Sequence, residues 1–248
     1  MPEISKTVDQ ALALLEDLGE RGPASALELA RRVPVNRTVA HRLLATLEAR
    51  RFVSRADDGR YRLGSALLTL GGHVDESVRE AARPGMAQLA EAFAETVVLS
   101  VADQDDAVAL DQVLAVGRMV RVQYQPGFRH SLGLAAHGLA ILAFSPSQTV
   151  ERVAASATSP RALRRSLTVV RERGYAVTHD QLQFGASGLA APIRDSEGWA
   201  QASLGVVAPV NRFPDEALLA RATCAAAEQA SRRLAIGARA RPREHALR

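Results

Sequence analysis

Histidine, serine and aspartate are the side chains of this 248-residue sequence suited to catalysis, but their spacing does not favour it. A serine nucleophile on a sharp strand-to-helix turn is written G-x-S-x-G. The nearest run, "GASG" at 185–188, lacks that spacing, so Ser187 reads as a loop serine. The six histidines, at 41, 73, 130, 137, 179 and 245, include no pair four apart and no H-E-x-x-H, so no metal site is expected. No glycine-rich phosphate loop is present. His130, Asp180 and Asp195 would form an acid–base set only if the fold gathered them. The expectation is no catalytic residue, no metal and no cofactor.

Arginine offers more. Nine arginines fall between Arg31 and Arg62 against three acids, Glu48, Asp57 and Asp58; that surplus of six exceeds the net charge of +4 for the whole chain. Lys6 is the only lysine. A guanidinium presents a planar fork that matches phosphate and the guanine edge. A merely solvated charged face has the same composition, so the surrounding elements must distinguish the two.

Those elements follow from periodicity. "TVDQALALLEDLGERG" places Val8, Leu12, Leu15 and Leu18 at helical spacing and stops at Gly19 and Gly22. Ser25 and Glu28 make a capping box for a short second helix, which Pro34 ends. Asn36 can cap a third helix with Val39, Leu43, Leu44 and Leu47 facing inward. Its other side carries Thr38, His41 and Ala45, flanked by Arg37 and Arg42, the character of a helix that enters a major groove. "FVSRADDGRYRLG" then reads as a hairpin bearing Arg55, Arg60 and Arg62. Three helices and a basic hairpin make a winged helix-turn-helix, with Asn36, Arg37, Thr38, His41, Arg42, Arg55 and Arg60 as the expected DNA-binding residues.

The rest of the chain changes character. Strands are expected in "TVVLSVADQDDAVALDQVLA", "RMVRVQY", "YAVTH", "GLAAPIRD" and "AQASLGVVAPV". Helices are expected in "VREAARPGMAQLAEAFAE" after a proline start, in "AAHGLAILAFSP", "SQTVERVAAS" and "SPRALRRSLTVVRERG", and in the alanine-rich stretch after Pro214. This mixture indicates an α+β sheet domain. With 47% apolar residues, no apolar run long enough to span a bilayer, no signal-peptide pattern and the single cysteine Cys224, a cytoplasmic location without membrane contact is expected.

The runs "ALALLEDLGERGPASALELARRV", "HRLLATLEARRFVSRADDGRYRLG", "GFRHSLGLAAHGLAILA", "RERGYAV" and "GLAAPIRDSEGWAQASLGVVAP" together resemble the IclR family of bacterial transcription regulators. The sequence departs from that family in the turn, where Pro34 stands for a usual glycine and Thr38-Val39-Ala40 for a Ser-Thr-Val run. The resemblance implies a two-domain α/β protein: a winged helix-turn-helix over 1–64, a linker helix over 65–77, a GAF-like α+β effector-binding domain over 78–237, and a basic, flexible tail over 238–248. It also implies a pocket. Relatives that bind small carboxylates carry an aspartate, a cysteine and two serines where this sequence has Thr178, Gly188, Gly205 and Val207. His137 stands where relatives carry a small residue, and either contacts a ligand or fills space. Leu132, Ala136, His137, Thr178, Gly188, Gly205 and Val207 are therefore the expected effector-binding residues, suited to a small uncharged or aromatic molecule.

The function expected is a ligand-responsive regulator, a repressor rather than an activator, acting on a metabolic operon. Its partners would be a double-stranded DNA operator, a small organic effector and further copies of itself in a homodimer or homotetramer. Two alternatives have discriminating observations. A small-molecule enzyme fused to a DNA-binding domain would turn over a bound metabolite. A dimerising module without ligand would show a pocket filled by its own side chains.

Overall fold

A computed structural model describes residues 3–240, which form two compact units dividing between Val74 and Asp75. The N-terminal unit holds α1 (Lys6–Arg21), α2 (Ala26–Arg32), α3 (Arg37–Ala49) and the hairpin β1 (Val53–Arg55) and β2 (Tyr61–Leu63). Its core is Leu14, Leu18, Leu29, Leu44, Val53 and Tyr61, the buried faces of the amphipathic segments. Gly22, at φ +78°, closes α1, and its N–H donates to the Leu18 carbonyl. The capping box forms: the Glu28 N–H donates to Ser25 Oγ at 3.3 Å, and the Ser25 N–H donates to the Glu28 carboxylate at 2.7 Å. Asp17, buried, accepts Arg21 at 3.1 Å and Arg32 at 3.3 Å, which ties α1 to α2. The hairpin is held to the helices because Tyr61 and Ala24 exchange backbone hydrogen bonds of 2.7 and 3.0 Å.

The segment expected as one linker helix over 65–77 contains α4 (Ala66–Gly72), a turn, and the start of α5 (Glu76–Phe93). Pro84 lies inside α5 and does not begin it. Gly85 beside it sits so near the last helix, α9 (Glu216–Ala240), that an added Cβ would lie 3.0 Å from the Ala226 Cβ. Tertiary packing keeps the helix continuous where a proline lacks its N–H.

The C-terminal unit is one antiparallel six-stranded sheet in the order β5-β4-β3-β8-β7-β6. Its strands are β3 (Thr96–Asp103), β4 (Asp106–Val113), β5 (Arg129–Ser131), β6 (Ala176–His179), β7 (Ala186–Arg194) and β8 (Ala200–Pro209). Alternation along β8 sends Ala202, Leu204 and Val206 into the core with α5 and α9. On the other face lie α6 (Ala135–Leu142), α7 (Ser147–Ser156) and α8 (Pro160–Arg173), built around Leu139, Leu142, Leu163 and Leu167.

The strand expected in "RMVRVQY" does not form. Residues 114–128 are irregular, and the short β5 pairs instead with Asp106–Val108 of β4. Two bonds hold this connection: its own Arg118 Nε donates to the Ala94 carbonyl after α5 at 3.3 Å, and an Arg212 Nη donates to the Val120 carbonyl within it at 2.5 Å. Arg212 also pairs with the buried Glu95. The final helix runs to Ala240, so the tail expected over 238–248 begins inside it; 241–248 lie outside the described residues.

Ser25→Ala should lower the stability of the N-terminal unit by about 1 kcal/mol through loss of the cap. Calorimetry should show the shift in that unit's transition alone.

Candidate functional site

The exposed face of α3 is the first candidate. Asn36 Oδ1 accepts the Val39 N–H at 2.8 Å and starts the helix. Ala40, Leu43 and Leu44 are buried, while Arg37, Thr38, His41, Arg42 and Ala45 are exposed together on the opposite side. Short side chains between two arginines leave this face able to approach base edges closely. The wing arginines divide their roles. Arg55 lies 5.6 Å over the Tyr61 ring, and its Nε donates to the Gly59 carbonyl at 3.4 Å; Arg62 Nε donates to Ser54 Oγ at 3.0 Å. Those two brace the hairpin. Arg60 stands exposed beside Gly59, whose φ of +80° shapes the turn. Arg32 is paired with Asp17, so the basic surplus read from the sequence partly serves the unit's own structure.

The second candidate is a cavity of about 20 Å³ between α6 and the sheet, large enough for one water. Of the seven expected effector residues it brings together five on its walls, Ala136, His137, Thr178, Gly188 and Val207. The other two are not among the lining residues. Leu132 is fully buried in the core of α6, α7 and α8. Gly205 is pressed against the next strand, where an added Cβ would lie 2.3 Å from the Leu189 carbonyl oxygen. Tyr124, Gln181, Leu182 and Gln183 also line the space, on the β4–β5 and β6–β7 connections, whose conformation no periodicity specifies. Gln181 accepts the Ala135 N–H at 3.2 Å and so caps α6 from a distant loop.

His137 dominates this cavity. It is 3% exposed, and its Nδ1 lies 3.0 Å from Ser203 Oγ on β8. Its Nε2 has no hydrogen-bond partner among the described residues. Burial, with the neighbouring His130 adding repulsion, pushes its pKa down to about 3. His130, also at the wall, is shifted down by burial. No Asp, Glu, Lys or Arg lines the cavity. This is a neutral polar site in an apolar setting.

The set His130, Asp180 and Asp195 is not assembled. Asp180 accepts the Gly185 N–H at 2.6 Å, and Asp195 accepts the N–H groups of Glu197 and Trp199 in the β7–β8 turn. Ser187 is a buried residue of β7, not a loop serine, and its Oγ lies 2.8 Å from His179 Nδ1. That is hydrogen-bond reach for a nucleophile and its base. Its side chain falls on the strand face that Leu189 and Ala191 pack toward α5 and α9, and His179 meets the Phe213 ring edge-on. No group of three or more metal-ligating side chains occurs among the described residues, and none of their helices is long and apolar enough to cross a membrane.

Residues 7–57 match the IclR helix-turn-helix domain, and residues 74–234 match the bacterial transcriptional regulator IclR C-terminal domain. The chain belongs to the IclR family. It is a DNA-binding transcriptional regulator with an N-terminal helix-turn-helix and a C-terminal α/β domain. Within the family it is similar to the glycerol operon regulatory protein of Streptomyces griseus, at 32% identity over 90% of this chain and 94% of that one. The HTH-type transcriptional regulator BhcR of Paracoccus denitrificans is 30% identical over 94% of this chain and 87% of its own. The crystal structure of an IclR transcriptional regulator from Alicyclobacillus acidocaldarius superposes with a TM-score of 0.82 at 27% identity, covering 94% of this chain and all of that one, 100%. In this IclR-family chain, Ser203 and Tyr124 are site residues that sequence reasoning missed. Alternation along β8 carries the signal for Ser203, which shares a face with Gly205 and Val207.

Two outcomes follow. A histidine whose folded pKa is lowered from 6.5 to about 3 contributes its full stability above 6.5, and loses it as pH falls toward the folded value. Between pH 7.5 and 5 the loss through His137 should be about 2 kcal/mol, and His137→Gln should flatten that acid-side decline in denaturant titrations. Gly205→Ser should lower the melting temperature with or without ligand, because its Cβ meets backbone of the neighbouring strand.

Proposed function

We propose that this chain is a one-component repressor whose N-terminal unit reads a double-stranded DNA operator and whose C-terminal unit binds a small organic effector. One observation carries the DNA reading: the capped helix α3 turns Arg37, Thr38, His41 and Arg42 to solvent while its apolar residues build the core. Arg60, at the tip of the wing, is placed for phosphate. Repression needs only occupancy of the operator, whereas activation requires a further surface for polymerase. Both partners reside in the cytoplasm.

The cavity supports the effector reading through its unpartnered His137 Nε2, since a buried polar atom without a partner favours any ligand that supplies one. A small uncharged or aromatic molecule suits walls that carry no ionised side chain. A second reading, a module without ligand, draws on the cavity's volume of about 20 Å³. The effector reading answers it by displacement of Tyr124 and the 181–183 segment, which lie on loops with Gly117, Gly127 and Gly185 at positive φ. The chain acts on no substrate in this reading.

One recognition helix reads too few base pairs for specificity, so the operator-bound form is a homodimer or a homotetramer. Val8 and Leu12, four residues apart on α1, and Ile4 just before the helix are each more than half exposed, whereas Leu15 packs partly into the unit's own core. That exposed stripe, with Leu68 and Leu70 of α4, is the surface suited to a second copy.

Arg37→Ala or Arg42→Ala should weaken binding to the preferred operator about ten- to a hundredfold and relax its sequence preference. Arg60→Ala should weaken all sequences evenly and flatten the salt dependence. Arg55→Ala should do so while also loosening the wing over Tyr61. Footprints unchanged by all four would refute this face. Val8→Glu with Leu12→Glu should give monomers in light scattering and abolish operator binding; a stable wild-type monomer with full affinity would refute the assembly.

A further inference from the structure

The orphan at His137 becomes specific once its partner is considered. Ser203 is fully buried on β8, and the one hydrogen bond of its side chain among the described residues joins Oγ to His137 Nδ1 at 3.0 Å. The pair has two possible proton arrangements, because a neutral imidazole carries one N–H and one bare nitrogen. With the proton on Nδ1, the ring donates to Ser203 Oγ. The serine hydrogen is then left without an acceptor, and Nε2 is left as an unpaired acceptor. With the proton on Nε2, the serine hydroxyl donates to Nδ1, and only the Nε2–H remains unpaired. The second arrangement leaves one buried orphan where the first leaves two, and is favoured for that reason.

We propose that Ser203 is a positioning residue that fixes His137 as an Nε2–H donor, and that this donor selects a ligand combining an apolar body with an uncharged acceptor oxygen. The inference rests on the effector reading above. The remaining walls agree with it. Ala136, Leu182, Gly188 and Val207 offer apolar surface, and the one described acceptor oxygen of Gln181 is already committed to the Ala135 N–H. The cavity lies at the N-terminal end of α6, whose amides favour the negative end of a carbonyl dipole. A carboxylate would find that same end, but no arginine or lysine at the walls to offset its desolvation. A ketone, amide or ester beside a ring meets both conditions.

The test uses the full-length protein and two readouts. Long-range proton–nitrogen spectra of protein labelled with 15N-histidine report the tautomer directly, and the His137 signals are assigned by their loss in His137→Gln. Nε2–H is expected in the wild type, with a mixture of tautomers in Ser203→Ala. The second readout is calorimetric titration with matched probes: acetophenone against ethylbenzene, and benzamide against benzoate. Acetophenone and benzamide should bind, and each should exceed its partner by about tenfold. His137→Phe should remove that preference, His137→Gln should retain part of it through its amide N–H, and Ser203→Ala should reduce it. An Nδ1–H tautomer in a protein that binds benzamide would overturn the donor assignment while leaving an effector site in place. An Nε2–H tautomer in a protein that binds none of the four probes would overturn the ligand class while leaving the effector reading in place. Equal binding of acetophenone and ethylbenzene, or tighter binding of benzoate than of benzamide, would overturn the selection of an uncharged oxygen.

Discussion

Helix α6 can lie against β7 and β8 because the positions between them carry almost no side chain. Gly188 of β7 faces Ala136, with 3.6 Å from its would-be Cβ to the alanine Cβ; on the side toward the turn after β5, Gly138 passes so close to the carbonyls of Ser131 and Leu132 that a Cβ would lie 2.8 Å from each. Within that close seat stands one large polar ring, His137. Its burial removes the charged form, its bond to Ser203 sets its orientation, and its Nε2 is the polar group that the layer leaves unpaired. The character of the cavity follows from this packing: neutral, mostly apolar, and with a directed polar contact.

The fold was legible where periodicity and capping agree. The three N-terminal helices, the Ser25–Glu28 box, the Asn36 cap and the wing are all local features, written in contiguous residues. Most sheet strands were legible for the same reason, since alternation exposes them. "RMVRVQY" misled because its apolar residues resemble a strand, while Arg212 takes the Val120 carbonyl and Arg118 reaches out to the Ala94 carbonyl, so the segment is held as a loop. Pro84 misled in the other direction, because a packed helix retains a proline that an isolated one would not.

The DNA face and the cavity differ in how far sequence reaches. A recognition helix is one segment, so its exposed residues can be read from a helical period. A cavity is assembled from α6, β5, β6, β7, β8 and two loops, and no spacing records that Tyr124 and Gln181 arrive at the same place as His137. Gly205 shows the reverse failure. It aligns with a site position, yet the neighbouring strand occupies the space a side chain would need.

For the two units to act as one regulator, a cavity ligand must bind one operator-binding condition of the protein more tightly than another. The most direct measurement is the affinity of the full-length protein for DNA it selects from a random-sequence pool, taken with and without saturating benzamide. An inverted-repeat sequence should be enriched, and benzamide should change the affinity for it about fivefold or more. An affinity that stays the same while calorimetry shows the cavity filled would contradict the account.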